Sequence, residues 1–503
     1  MSKPGAEAGA VSDQGGMPTS VDVLIVGAGV AGLTAAIRME DAVRSGAIQS
    51  YFIADAADQV GGVIRTVEED GYLLESGPDM FFAEKPEVTE MAGRLGLGRE
   101  LIHTNPKMRR SFLAVKGRLR PMPPGFFLTA PSQLRPFFMS GIIGPLAKLR
   151  MVLEPFIPAK KTTEDESVAS FVRRRFGRSA LKRIAQPMIG GIYAGDPEKL
   201  SARWAMPKFV EWERRCGSVV WGLKTKGSDT AAGPGTAGPR YSLFQSFRKG
   251  MAVLPRAMAA AIPRERLQLG TEVTQLKRVE GGWSARIGGH EMRCRTLILA
   301  VPAAAAAKLL RAEAPRVAEL LDKLRYESCA IVQTAWNRSD IGHPLDGLGF
   351  VVPAEDGLPI MAGSFSSIKF EGRAPEGKVM IRFFAGGAFG QKLLALPEQE
   401  LWPAIKPHAY KLLGIKPETE PIFTKVLYYR ESMPQYEVGH DDWAASLKAA
   451  CAAYPGLNVC GAMMQGVGIP DAIRDGAHAA DFVLEQLKGR STDLKTTSQE
   501  RLL

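Results

Sequence analysis

Two glycine-rich turns stand at opposite ends of the 503-residue chain, Gly27-Ala28-Gly29-Val30-Ala31-Gly32 and Gly466-Val467-Gly468-Ile469-Pro470. When such a turn opens a helix, its free N–H groups and the positive end of the helix dipole hold a phosphate, or stabilise negative charge developing beside them. The first turn has the spacing GxGxxG, and each glycine has its own task. Gly27 allows a tight turn, Gly29 lets a pyrophosphate reach the backbone, and Gly32 lets helix and strand pack closely. Asp55 follows where an acid accepts from a ribose diol. The six histidines form no cluster, so no catalytic residue is assigned among them. The five cysteines lack CxxC spacing; no metal site or disulfide framework is expected, and a reducing compartment is.

The elements that must carry these turns can be read around them. Asp22 to Val26 is a short β-branched run suited to a buried parallel strand, and Leu33 to Arg44 has helical spacing. Tyr51 to Ala54 gives a second strand ending at Asp55. Near the other end, Leu457 to Cys460 reads as a strand, Gly461 opens the turn, and a helix follows from about Asp471. Strand, turn, helix and acid together point to a dinucleotide.

Beyond Asp55 come Gly61-Gly62-Val63-Ile64-Arg65-Thr66 and a strand ending Glu75-Ser76-Gly77-Pro78. This succession is similar to the FAD-binding signature of the amine oxidase, carotene desaturase and protoporphyrinogen oxidase superfamily, with Asp55 where Glu is usual. The resemblance implies that the second turn serves the flavin end of the same cofactor, with Gly461, Val467, Gly468 and Ile469 beside the ring. It places the backbone of Val273 at the adenine. Three further stretches resemble the porphyrinogen oxidases: GIYAGDPEKLS (191–201), ESMPQYEVGH (431–440) and GVGIPDAIRDG (466–476). Mammalian amine oxidases attach flavin through a Cys ahead of the second turn; Ala462 to Gln465 stand there here, so non-covalent FAD is expected. Implied by the resemblance are oxidation of coproporphyrinogen III or protoporphyrinogen IX in haem biosynthesis, with O2 as electron acceptor and H2O2 as product. Implied substrate contacts are Gly191, Leu348, Val351, Phe383 and Arg110. Some members carry a propionate-pairing Arg where this chain has Ser111, and a small residue there resembles the coproporphyrinogen branch. The alternatives are a flavin amine oxidase, a polyene desaturase, or a non-catalytic carrier resembling the Rab GDP-dissociation inhibitors.

The fold implied is α/β: a Rossmann-like FAD-binding domain assembled from residues 20–102, 240–310 and 420–490, and a mixed-sheet substrate domain over 311–419. A helical, basic substrate- and membrane-associated region spans 103–225. Residues 1–19 and 491–503 read as tails, and 226–239 as a flexible loop on composition. The net charge is +11, and the window from Lys107 to Lys161 carries eleven basic residues and one acid, Glu154. Its apolar runs are broken by prolines and fall short of the roughly twenty residues a spanning helix needs. An anionic membrane surface is therefore a candidate partner, against the alternative of a buried helical pair with a solvated cationic face. A ferrochelatase-type enzyme of the haem pathway is another. Aromatics are not interleaved as stacking platforms, so nucleic acid is not expected. The first twenty residues lack the apolar core of a signal peptide. The expected location is the cytoplasm, with peripheral contact to the cytoplasmic membrane face.

Overall fold

The computed structural model describes residues 17–108, 110–123, 126–127, 130–131, 134–226 and 244–500. The predicted N-terminal tail and the 226–239 loop lie almost wholly outside these residues, as does Arg109. The described residues form an α/β structure around two large sheets.

In the first sheet the strand Ser20–Val26 lies parallel between Tyr51–Ala54 and His290–Leu299. Leu267–Gln268 extends one edge, Leu457–Val459 runs parallel beside His290–Leu299, and Gly282–Ile287 and Val273–Val279 follow antiparallel. Val23, Leu24 and Ile25 are wholly buried because helices cover both faces, which is why this strand reads as an uninterrupted apolar run. The helix Val30–Arg44 leaves the first strand, and the helix Ile469–Glu500 comes back across it. The two touch where Gly476 meets the Ala31 carbonyl, a contact with no room for a side chain. The C-terminal helix continues to Glu500, ten residues into the predicted tail: the stretch holds no proline, and its polar composition was an insufficient reason to end a helix.

The second sheet has the order Phe423–Pro434, Tyr326–Asn337, Lys378–Gly386, Ala362–Ser364, Gly349–Val351, Phe112–Val115, Arg118–Pro121. Two of these strands come from segments that the sequence assigned elsewhere. Phe423–Pro434, within 420–490, pairs with Tyr326–Asn337 rather than with the first sheet. The hairpin Phe112–Val115/Arg118–Pro121, within the region expected to be helical, closes the opposite edge. Its turn, Lys116-Gly117, has positive φ at both residues (51° and 74°), the backbone that joins antiparallel strands with the correct twist.

Helices between 134 and 226 form a third layer with its own core around Phe171, Phe176, Phe209 and Trp212. Glu154, the one acid of the basic window, is wholly buried there. Its carboxylate accepts from Arg175 Nε (2.7 Å), Ser218 Oγ (2.6 Å) and the amides of Val219 and Val220. Arg175 is equally buried. Removing either partner would strand a charge in the interior, at a cost of about 3–5 kcal/mol.

Candidate functional site

The first turn meets its three tasks separately. Gly27 has φ +106°, closed to most side chains, and a Cβ there would lie 2.5 Å from the Ala300 carbonyl oxygen. A Cβ on Gly32 would run into the Gly27 carbonyl. Gly29 has an ordinary φ of −69°, and nothing lies within 4 Å of the place its Cβ would take. The amides of Val30 and Ala31 donate to no group among the described residues. The turn is therefore held tight on two sides and open at Gly29, where a phosphate would sit.

Asp55 closes the turn from below. Its carboxylate accepts from the Ala28 amide (2.5 Å) and the Ala57 amide (2.8 Å). Its carbonyl accepts from Thr271, two residues before Val273, which brings the 270–273 segment to the same end of the site. Gly61 donates to the Ala28 carbonyl, and a Cβ on Gly62 would lie 3.7 Å from Gly29 Cα. Gly61-Gly62 thus lies across the first turn. From there the chain continues past Val63, which is half exposed, to Arg65, whose carbonyl accepts from Ser76. A side chain at Gly77 would strike the Val63 carbonyl.

The second turn arrives beside the first. An added Cβ at Gly461 would lie 4.0 Å from Ala31 Cβ. The Gly461 amide donates to Asp475 Oδ2 (2.6 Å), while the amides of Val467, Gly468 and Ile469 donate to no described residue. Asp471 pairs with Lys85 (2.6 Å) and Arg474 and packs against Gly466. These are free N–H groups at the start of a long helix, placed to stabilise negative charge.

The second sheet roofs the site, and the parity of its strands decides which side chains face it. Val379, Ile381, Phe383 and Ala385 belong to the core beneath the helix Glu398–Leu413, together with Ala330, Val332 and Trp336. Phe383 is fully buried, its ring 5.8 Å from that of Trp402. The expectation that Phe383 lines the substrate space is therefore corrected. Successive residues of a strand point to opposite faces, so Phe384 is the one turned inward. Direct cross-strand partners define an inward row: Leu427, Ile331, Phe384, Ala362 and Val351. The neighbouring row, Lys425, Gln333, Arg382 and Ser364, packs on the first domain. Arg382 Nη2 donates to the Gly77 carbonyl (2.6 Å), and Gln333 Nε2 to the Glu75 carbonyl (2.8 Å). Burial pushes the Asp79 carboxyl up, but Lys369 (2.5 Å) and Arg382 (3.4 Å) outweigh it and hold it below the usual range. These buried contacts fix the roof over the cofactor segment.

At the far end of the apolar row stands Gly191, in the helix Gln186–Tyr193. A Cβ there would lie 3.4 Å from Val351 Cγ1 and 3.7 Å from Ala362 Cβ. Gly191 and Val351 are thus brought together. Leu348 is half buried, its amide donating to the Arg110 carbonyl (2.7 Å). Arg110 itself is largely exposed and pairs with Asp346 (2.6 Å). Sequence reasoning gave no role to Asp471, Asp475, Arg382, Tyr436 or His440, although all but Arg382 lie in motifs quoted above.

The fit to FAD is good on this geometry: an open pyrophosphate cradle, an acid at the ribose end, unpaired amides at the far end and an apolar roof between. A family model described as flavin containing amine oxidoreductase matches residues 30–484. Coproporphyrinogen III oxidase of Bacillus subtilis (strain 168) is 31% identical over 92% of this chain and 98% of its own. The chloroplastic protoporphyrinogen oxidase of Nicotiana tabacum is 31% identical over 93% and 86%. Among solved structures, one from Exiguobacterium sp. 255-15, assigned to the protoporphyrinogen oxidases, superposes with a TM-score of 0.82 over 93% of this chain at 24% identity.

Proposed function

The chain belongs to the flavin-containing amine oxidoreductase family, and from that premise we propose that it oxidises a porphyrinogen to the porphyrin, with coproporphyrinogen III preferred. When bound, FAD supplies the hydride acceptor, which O2 restores with release of H2O2. The observation that carries the reading is the apolar row Leu427–Ile331–Phe384–Ala362–Val351 ending at a residue with no side chain, Gly191. A flat apolar macrocycle needs such a wall and such a gap to lie at reacting distance from the ring. An amine would instead favour paired aromatic side chains, and this row has one aromatic in five.

The work of the chain's own residues is to bind, orient and exclude water. Gly29 and the free amides of Val30 and Ala31 anchor the cofactor; the free amides of Val467, Gly468 and Ile469 favour its reduced form by offering N–H groups to negative charge. The preference for coproporphyrinogen is supported by Ser111 in place of an arginine and by the engagement of Arg110 with Asp346. A substrate with four propionates can find its cations elsewhere around the rim. The test is aerobic turnover of the FAD-loaded protein on coproporphyrinogen III and protoporphyrinogen IX side by side, followed by porphyrin fluorescence. Faster formation of coproporphyrin is expected. A preference for protoporphyrinogen would reverse the substrate assignment, and oxidation of neither would reject the activity.

Peripheral contact with an anionic membrane at the cytoplasmic face belongs to the same reading, but not through every basic residue that the charge count includes. Lys148 is buried, donating to the Phe138 carbonyl (2.8 Å), and Arg150 donates to the carbonyls of Arg174 and Arg175. Beside the exposed Arg118 and Arg120, large apolar side chains also face outward: Met139 is 78% exposed, Leu146 83% and Phe156 82%, with Leu149 and Leu153 near them in sequence. No helix among the described residues is long and apolar enough to cross a membrane. Burying one such side chain contributes about 1.5–3 kcal/mol. Replacing Leu146, Leu149 and Phe156 together by Ser should therefore weaken binding to anionic phospholipid vesicles at least about 100-fold, by co-sedimentation. Unchanged binding would reject the membrane contact.

A further inference from the structure

Three motifs from distant parts of the chain, GIYAGDPEKLS, ESMPQYEVGH and GVGIPDAIRDG, meet at two adjacent residues. Gln435 is buried at the end of the strand Phe423–Pro434, and its amide Nε2 donates to the Tyr193 carbonyl (3.0 Å) and the Met433 carbonyl (2.9 Å). Tyr193 is the last residue of the helix that carries Gly191. The next residue in that loop but one, Gly195, packs so closely on Gln435 Oε1 that a side chain there would displace the Gln435 amide.

Tyr436, equally buried, reaches the opposite way. Its hydroxyl donates to the Ala462 carbonyl (2.5 Å) and accepts from the Gly466 amide (2.7 Å), so one oxygen ties both ends of the loop that becomes the second turn. Its ring stacks on His440 at 4.0 Å, and His440 Nε2 meets the carbonyl of Met464 in the middle of the same loop (3.1 Å). Trp443 stacks on the far side of His440, and Trp204 closes the edge against both Tyr436 and His440. The Tyr436 carbonyl in turn accepts from Ser201, the last residue of the first motif. Burial holds the Tyr436 phenol protonated, so it is a standing donor, and holds His440 neutral more firmly than in water.

We propose that Gln435 and Tyr436 form a single strut that sets the distance between the substrate-side helix and the flavin-side turn. They are positioning residues: neither supplies a reacting group. One end holds the helix of Gly191, the other holds the loop ahead of Val467, Gly468 and Ile469, and the element between them is two adjacent residues held in a tight turn by the Glu437 amide, which donates to the Gln435 carbonyl (3.1 Å). Reacting atoms tolerate little misplacement, about 1 Å costing on the order of 100-fold in rate. A strut between the two walls of the slot is therefore where catalysis is sensitive without chemistry taking place.

The catalytic readout rests on the proposed function; the flavin readout does not. Tyr436→Phe keeps the ring stack and removes both hydroxyl bonds. The FAD-loaded full-length variant should hold its flavin, with a shifted visible absorbance band and a lower reduction potential. Its kcat should fall about 10- to 100-fold with KM changed less than about 2-fold. Gln435→Met should raise KM and leave the flavin band in place, and the double variant should lose less in kcat/KM than the product of the two single losses. A variant with reduced thermal stability but an unshifted band, potential and kcat would show Tyr436 to be structural only and overturn the proposal. Strictly multiplicative losses would overturn the single strut in favour of two separate props. If Tyr436→Phe fails to fold, His440→Phe, which keeps the stack and loses the Met464 bond, is put to the same test: a shifted band supports the strut, an unshifted one overturns it. Should the wild-type protein oxidise no porphyrinogen, the band and the potential still decide the strut.

Discussion

Replacing Gly29 by Val should leave the protein folded and empty it of flavin. The backbone at Gly29 has a φ any residue adopts, and nothing within 4 Å resists a side chain there. The cost to the apoprotein should stay within about 0.5 kcal/mol, as for substitutions that disturb no packed feature. The branched side chain would instead fill the gap between Gly29 and Gly62, over the free amides of Val30 and Ala31. Charge-assisted hydrogen bonds of this kind are each worth about 1.5–3 kcal/mol, so losing two weakens cofactor binding by at least about 100-fold. The ratio of flavin to protein absorbance after purification measures the loss, and a thermal melt of both apoproteins measures the fold. Gly32→Ala is the contrast: its methyl group would meet the Gly27 carbonyl, so it should lower the yield of folded protein itself. A Gly29→Val protein with a full complement of FAD would mean that the pyrophosphate does not lie at this turn.

Gly191→Leu should do the reverse, retaining FAD and losing porphyrinogen oxidation by about 100-fold or more, the scale of a misplaced substrate. The position is helical, without positive φ, and a Cβ there makes only ordinary contacts with Val351 and Ala362. Gly191→Ala should thus be tolerated, and stabilise the helix by about 0.8–1 kcal/mol through lost unfolded-state freedom. The three further carbons of leucine beyond Cβ would lie across the apolar row where the macrocycle rests. Porphyrin fluorescence reads the activity; dithionite reduction followed by reoxidation in air checks that the flavin still turns over. Wild-type rates in Gly191→Leu would place the substrate elsewhere than against Val351 and Ala362.

The cofactor half of this site was legible because its requirements are local. A glycine needed for positive φ, a glycine needed for close approach and amides exposed at a helix start all follow from neighbouring residues, as the backbone at Gly27, Gly29 and Gly32 illustrates. The substrate half was not, and Phe383 shows why. Along a strand, a shift of one residue exchanges the two faces, and a run such as Val379 to Ala385 is apolar at nearly every position. Only the helix Glu398–Leu413, packed on one side, decides that Phe383 is core and Phe384 is wall. Lys148 and Arg150 mislead in the same way. Their charge can be counted from the sequence, but the carbonyls they serve come from residues brought close by folding, and those carbonyls turn them inward.

By itself, then, the sequence determined that this chain binds FAD and that a glycine turn opens a helix near each end, because backbone conformation and helix ends are properties of short segments. Tertiary structure alone decided which side chains wall the slot, which cations remain free, and that Gln435 and Tyr436 bridge its two sides. Those depend on contacts between residues hundreds of positions apart, and nothing in the local spacing of either partner specifies them.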